Sequence, residues 1–403
     1  MVQEGARIVP LPGSDAIELR HLRSFVAVAE ELNFRRAAER VFITQPALSR
    51  QISALERMVG TKLLRRNTHR VELTPAGEAM LVRALSLLRE VDDAVRAVQS
   101  VGGEITERIV RLWQPVGRHG GADGDLRQQR AAYEALHAQI EVPAGIRIRP
   151  ITAGGVPALI VATDPDQPPR VLYLHGGGFV LGSAYGYRPL AGALAEASGA
   201  GVLVIDYRLA PEHPYPAALD DARSAYRWLL DQAPADEPVL IAGDSTGGGL
   251  ALALLLRLRA EGVRLPAGAA LLCPTVDFTL PDAEDPGRQL PLEVRRWFAE
   301  AYLAGHSATD PLVSPVSGDW TGLPPLLIQA ATGDVLRPDA VAVRDRAGEH
   351  GVPATLELYP VDAHGFQLFW SFLPEAAEAV AAVGRFLAAP AGETGAAGSP
   401  ADR

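Results

Sequence analysis

Apolar positions recur at helical spacing through the first hundred residues, then as short separated runs. Leu19, Leu22, Phe25, Val26, Val28 and Ala29 predict an amphipathic helix between Ile17 and Glu31. A second helix fits Phe34 to Val41, where Ala37 and Ala38 are small enough for close packing. Thr44 is a good N-cap for a third, Gln45 to Val59, with Pro46 in its first turn and Gly60 as its stop. Two short helices with a tight connection make a helix-turn-helix. Leu63 to Leu73 reads as a hairpin with a basic tip. Thr74-Pro75 then opens a longer helix, to about Ser100. Within it Leu81, Ala84, Leu88, Val91, Val95 and Val98 repeat every three or four positions, the pattern of a coiled-coil seam. The alternative is a helix packed on its own domain.

Residues 101–120 predict a junction, because Val101-Gly-Gly and Gly117-Arg-His-Gly-Gly flank a short apolar piece, Ile109 to Trp113. Asp125 to Ile140 reads as an amphipathic helix. From Ile146 the pattern changes to strands at 146–151, 158–162, 171–174, 202–205, 239–242, 268–272, 326–330 and 355–359. Helices fit between the later ones, at 190–198, 217–231, 250–261, 338–350 and 374–387. Such alternation argues for a mostly parallel sheet covered on both faces. The Ala-, Gly- and Pro-rich tail, 389–403, is expected to be disordered.

Composition adds two constraints. At 403 residues, with 48% hydrophobic and 21% charged, the chain can fill at least two cores and excludes global disorder. The lone cysteine, Cys273, excludes an internal disulfide and sits in an apolar run as a buried filler. Neither a basic-then-apolar leader nor a run of about 18 apolar residues is present, so a soluble, cytoplasmic protein with no membrane partner is expected. Net charge is 38 − 48 = −10, yet residues 35–70 hold nine Arg or Lys against Glu39 and Glu56, a local +7. A basic patch on an acidic chain points to a polyanion at that end.

The N-terminal stretch Leu19-Arg-His-Leu-Arg-Ser-Phe, Asn33-Phe-Arg-Arg-Ala-Ala, Thr44-Gln-Pro-Ala-Leu-Ser-Arg-Gln-Ile, Leu55-Glu and Val71-Glu-Leu-Thr-Pro-Ala-Gly resembles the DNA-binding domain of LysR-type transcriptional regulators. The resemblance implies an all-α winged helix-turn-helix at 17–74, a dimerising linker helix at 75–100 and double-stranded DNA as partner. The usual ligand-sensing effector domain of that family is absent after residue 100. Residues at the start of the second helix of such a motif enter the major groove. Thr44, Gln45, Pro46, Ser49 and Arg50 lie there, and Gln and Arg can pair bidentately with adenine and guanine edges. Arg35, Arg36, Arg65, Arg66 and Arg70 suit phosphates, which position a protein without reading sequence.

The second domain carries Gly243-Asp-Ser-Thr-Gly between an apolar run and a helical stretch, the strand–turn–helix setting in which a strained serine is lifted clear of a sheet. Seventy residues earlier stands His175-Gly-Gly-Gly-Phe, whose glycines leave N–H groups open toward a developing oxyanion. The N–H of Thr246 is the natural second donor. A serine needs a base, and of nine histidines His364 follows the last strand. Asp334, Asp339 and Asp362 are the candidate acids; Asp334 follows the strand at 326–330, where such sheets carry function. Together with Asp206-Tyr-Arg-Leu-Ala-Pro-Glu-His-Pro-Tyr-Pro-Ala-Ala-Leu-Asp-Asp-Ala, these motifs resemble the hormone-sensitive-lipase family of α/β-hydrolases over about residues 125–388.

That resemblance implies an α/β-hydrolase at 121–388 acting on a small carboxylic ester. Ser245 would be nucleophile, His364 base and Asp334 orienting acid, with Gly176, Gly177 and Thr246 as the oxyanion hole. Thr246 replaces the family's usual alanine. Helical pieces near 125–140 and 291–304 would form a cap, with Trp297 and Phe298 lining the acyl pocket. Neither a cofactor nor a metal is called for. The expected protein is multidomain: a DNA-binding regulator fused to a serine esterase that hydrolyses or senses an ester, or an esterase whose DNA-binding domain is a mere tether.

Overall fold

The computed structural model describes residues 17–41, 43–66, 71–118, 124–234, 237–280 and 290–388. It divides into two compact units, one ending at Glu104 and the other beginning at Ile105. The tail at 389–403 lies outside the described residues.

In the first unit, helices α1 (Leu19–Glu31), α2 (Phe34–Arg40) and α3 (Gln45–Val59) precede a hairpin of β1 (Leu64–Arg66) and β2 (Val71–Leu73). The strands are antiparallel, with Leu64 opposite Leu73. Thr44 Oγ1 accepts the Ala47 amide at 3.4 Å to start α3, and Gly60, at φ 78°, ends it. Phe25, Leu48, Ile52, Leu55 and Leu63 are completely buried in the core. Glu56, one of the two acids in the basic stretch, is buried rather than a surface charge. Its carboxylate accepts the Leu63 and Leu64 amides at 3.1 and 3.2 Å and pairs with Lys62 Nζ at 2.9 Å, which ties α3 to the hairpin.

Helix α4 runs Pro75–Arg118, and here two expectations are corrected. The first half of the seam is spent inside its own unit: Ala84 is fully buried and Leu81 and Leu88 pack on the same core. The side chains of Val91, Val95 and Val98 lie outside the described ones. The boundary between the two units, after Glu104, does fall in the expected junction, but the helix is not broken there and runs on to Arg118. Two glycines in a helix interior cost only about 1 kcal/mol each, whereas Ile109, Leu112 and Val116, at steps of three and four, bury one helix face in the second unit's core. Packing outweighs the local breaker signal.

The second unit continues with α5 (Leu126–His137), β3 (Arg147–Ala153), β4 (Val156–Ala162), β5 (Val171–Leu174), α6 (Arg188–Ser198), β6 (Val202–Ile205), α7 (Ala217–Gln232), β7 (Leu240–Asp244) and α8 (Thr246–Ala260). It ends with β8 (Ala269–Leu272), α9 (Leu292–Leu303), β9 (Leu326–Ala331), α10 (Arg337–Glu349), β10 (Ala354–Tyr359) and α11 (Pro374–Ala388). Among the described residues its eight strands form one sheet in the order β10-β9-β8-β7-β5-β6-β4-β3. The β3–β4 and β4–β6 pairs are antiparallel and all the others parallel. Every residue of β5, β6, β7 and β8 is buried, as a doubly covered parallel sheet requires. Helix α6 packs on α11, and α7 on α8. Helix α8 starts at Thr246, ahead of the expected 250, because Gly247 to Gly249 continue the helix. A Cβ on Gly247 or Gly249 would collide with the carbonyls of Leu174 or Thr275, so glycine is what lets this helix lie so close to the sheet.

Candidate active site and nucleic-acid interface

Ser245 sits between the end of β7 and the first residue of α8, at φ 52° and ψ −123°. That is a left-handed conformation few side-chain-bearing residues adopt, and it persists only where the surroundings enforce it. The Ser245 amide donates to Leu272 O at 2.8 Å, and its carbonyl accepts from Thr275 and Gly248. His364 and Asp334 come from loops beyond β10 and β9. His364 Nε2 lies 2.9 Å from Ser245 Oγ, and Nδ1 lies 3.0 and 3.1 Å from the two Asp334 oxygens. Asp334 is in turn held by the Leu336 amide at 2.8 Å. Asp339 stands elsewhere: its carboxylate accepts the Val276 amide at 2.8 Å. So the structure brings together Ser245 and His364, 119 positions apart in the chain, with Asp334 from between them.

Electrostatics agree with geometry. Burial pushes the Asp334 carboxyl up, but the neighbouring His364 charge and the hydrogen bonds from His364 and Leu336 outweigh it and hold it below the ordinary range. Burial pushes the His364 imidazole down, and the Asp334 charge and hydrogen bond more than offset this, leaving it above 6.5. A base must be neutral to accept a proton. The acid limb of the kcat/KM profile is therefore expected above pH 6.5, with activity lost as pH falls through it; a limb centred below 6 would contradict the Asp334–His364 pairing. Burial, with the Asp277 charge beside it, raises Asp339 to about 6 despite the amides it accepts.

The glycine loop departs from expectation at one position. The Gly176 amide donates to Asp244 Oδ1 at 2.9 Å, so it is engaged and cannot also face an oxyanion. Asp244 is buried, accepts Tyr173 and Tyr187 hydroxyls at 2.8 and 2.9 Å, and has its carboxyl pushed up by burial despite these donors. It anchors the loop to the strand that carries Ser245. Gly177, at φ 113°, lines the cavity, as do Gly178 and Thr246. The Gly177 amide has no protein acceptor among the described residues. The Thr246 amide is a helix-starting N–H of the kind that lacks an intrahelical partner. His175 is stacked between Tyr187 and Tyr207, donates Nδ1–H to Gly176 O at 2.8 Å, and is driven by burial to a pKa of about 4, so it stays neutral and structural.

A cavity of about 850 Å³ opens over Ser245. Phe298 of α9 lines it, whereas Trp297 packs on the core without lining it. Val110, Trp113 and Gln114 of α4 form part of its wall, a contribution concealed in sequence because those residues read as a junction. Cys273, Asp334 and His364 offer ligand atoms within 4.8 Å of one another. The latter two are already bonded to each other, and burial pushes the Cys273 thiol well up, so it is no thiolate ligand.

In the first unit Thr44, Gln45, Pro46 and Arg50 are exposed at the start of α3, and Ser49 is half-buried. Arg35 and Arg65 are exposed; Arg36 pairs with Glu31 at 3.2 Å. Arg70 and the side chain of Arg66 lie outside the described residues.

Comparison with known proteins separates the two units in the same way. Residues 19–78 match the bacterial regulatory helix-turn-helix family of LysR type, and residues 171–368 match the family described as alpha/beta hydrolase fold. An acetyl-hydrolase of Streptomyces hygroscopicus is 40% identical over 279 residues, covering 67% of this chain and 92% of that protein. An esterase of Acinetobacter venetianus is 35% identical over 247 residues, covering 60% and 82%. Among solved structures, an esterase from the bacterial hormone-sensitive lipase family superposes with a TM-score of 0.64 at 36% identity, covering 69% of this chain and 96% of that one. Among the described residues no helix is long and apolar enough to cross a membrane. With a serine, a histidine and an acid in hydrogen-bonded sequence at the end of a parallel sheet, the chain belongs to the α/β-hydrolase esterases of the hormone-sensitive-lipase family and carries a LysR-type DNA-binding helix-turn-helix ahead of the enzyme.

Proposed function

We propose that Ser245, His364 and Asp334 hydrolyse a small carboxylic ester by acyl transfer, with the Gly177 and Thr246 amides as oxyanion donors. One observation carries this: the unbroken hydrogen-bond run Ser245–His364–Asp334. His364 Nε2 takes the Ser245 proton as Oγ bonds to the carbonyl carbon, and the carbonyl electrons move to oxygen. The same nitrogen then protonates the leaving alcohol, and water repeats the cycle on the acyl-enzyme. Asp334 keeps Nδ1 protonated, so Nε2 is the free base. The acetyl-hydrolase and esterase names of the relatives favour a short acyl chain.

The helix-turn-helix makes regulation part of the proposal. The protein binds duplex DNA through α3 as a homodimer joined along residues 75–100, where Val82 and Leu87 leave 67% and 48% of their surface exposed. Helix α4 buries Ala84 in the DNA-binding core, while its Trp113 walls the ester cavity. The residues of α4 that wall the ester cavity follow the DNA-binding unit directly in the chain. The test is Ser245→Ala protein, which holds a short-chain aryl ester uncleaved, titrated with a selected operator duplex with and without saturating ester. Coupling is expected to move operator affinity by roughly 5- to 150-fold, and DNA must shift ester affinity by the same factor. Unchanged affinities across an ester panel leave the helix-turn-helix a tether, and a monomer in sedimentation removes the dimer.

A further inference from the structure

Of the three glycine amides in the loop, Gly176 and Gly178 have protein acceptors and Gly177 has none among the described residues. Gly178 N–H donates to Thr246 Oγ1 at 3.1 Å. A threonine hydroxyl that accepts one hydrogen bond still has its own proton to donate. Among the described residues no acceptor meets that proton, although Thr246 is only 5% exposed. Buried donors are ordinarily satisfied, and one left open beside a reaction centre asks for a ligand group. Thr246 borders the same cavity as Ser245, directly after it in the chain, and begins helix α8.

We propose that the Thr246 hydroxyl is a third donor to the tetrahedral oxyanion, turned toward it by the Gly178 amide. The inference rests on the acyl-transfer reading of Ser245. In the resting protein the amide proton of Gly178 fixes the oxygen and polarises the O–H, since hydrogen bonds in a chain strengthen one another. As Ser245 Oγ bonds to the carbonyl carbon and the π electrons pass to oxygen, the O–H donates to that oxygen. No proton is transferred along this bond, and the Ser245 proton still goes to His364 Nε2. A hydrogen bond to a charged acceptor is stronger than one to the neutral ester carbonyl. The donor therefore favours the transition state over bound substrate, which places its effect in kcat rather than KM.

The experiment compares Thr246→Ser, Thr246→Val and Thr246→Ala on one aryl acetate, with Ser245→Ala alongside. Removing one oxyanion donor typically lowers kcat by about 10²-fold or more. Valine and alanine are expected to lose about 10²-fold in kcat with KM little changed, while serine restores the rate to within about threefold of the parent. Valine keeps the shape of threonine, so folding is preserved; thermal midpoints and circular dichroism check it. An aryl boronic acid, which forms a tetrahedral adduct on a serine, should weaken in parallel with kcat in the valine and alanine proteins. Alanine turning over as fast as the parent overturns the proposal, because the hydroxyl would then only be occupying the Gly178 amide. A serine protein as slow as valine also overturns it, because the methyl group and not the hydroxyl would matter. Full activity in Ser245→Ala would instead sink the acyl-transfer reading itself, so the two failures are distinguishable.

Discussion

Ser245→Ala protein is expected to turn over a short-chain aryl ester at least about 10³-fold more slowly than the parent, with KM changed far less. The expectation follows from how little else in the cavity can attack a carbonyl. Cys273 is buried, with its thiol pushed well above the ordinary range, and His364 Nε2 already points at the serine oxygen. Without Oγ the histidine can only activate a water, which is neither held nor aimed. Nucleophile and base act as one unit, so deleting either forfeits most of what both supply. A remnant over the uncatalysed rate should survive, because the amides of Gly177 and Thr246 remain in place. Alanine tolerates the site sterically, and the thermal midpoint should move little. Single-turnover measurements with an aryl acetate check the result. Equal rates would remove Ser245 from the chemistry, whatever the geometry.

Asp334→Asn should cost about 10⁴-fold in kcat, whereas Asp339→Asn should stay within severalfold. Both acids lie beside the cavity and differ by five positions, so the contrast is sharp. Asp334 accepts at His364 Nδ1, which fixes the proton on that nitrogen and leaves Nε2 free for the serine. An asparagine there can turn its NH₂ toward Nδ1 and stabilise the tautomer with the proton on Nε2, which is useless as a base. Asp339 is occupied with the Val276 amide and touches neither partner of the reaction. The pH profile adds a second signature. Asp334 is what raises the histidine above its ordinary value, so in Asp334→Asn the residual activity should have its acid limb at lower pH. If Asp339→Asn proves the crippled variant, the orienting role passes to Asp339.

Much of this architecture is legible in the chain because its signals are local. Thr44 before Gln45-Pro46, and Gly60 after Val59, mark both ends of a helix whose bounds the structure reproduces. Continuous apolar runs such as Val202–Ile205 mark strands buried on both faces. What stayed hidden depends on distance. Nothing in His175-Gly-Gly-Gly says which glycine amide is already taken, because its acceptor, Asp244, comes 68 residues later. Gly102 and Gly103 look like a break because the side chains that overrule them, Ile109, Leu112 and Val116, bury against a core built from residues much further on. The seam from Leu81 was ambiguous for a related reason: a helix face that fits another copy fits its own domain equally well, and Ala84 took the nearer option. Trp297 and Phe298 are adjacent and both aromatic, and only the roll of α9 decides which one meets the cavity.

Helix α4 bears on how such a protein could have arisen. Joining two finished modules end to end ordinarily leaves a spare hinge that neither needs, free to lengthen, shorten or be cut. Here that stretch has been conscripted: Val110, Trp113 and Gln114 are masonry of the ester chamber, and Ile109, Leu112 and Val116 are its footing. An insertion of one residue between Ile109 and Leu112 would turn Trp113 and Gln114 by about 100° about the helix axis relative to the footing at Ile109 and present the wrong face to the substrate. The spacing of residues 109–116 is thereby locked by the enzyme's own need for a closed chamber, and lineages that keep catalysis should keep that segment whether or not they keep the operator.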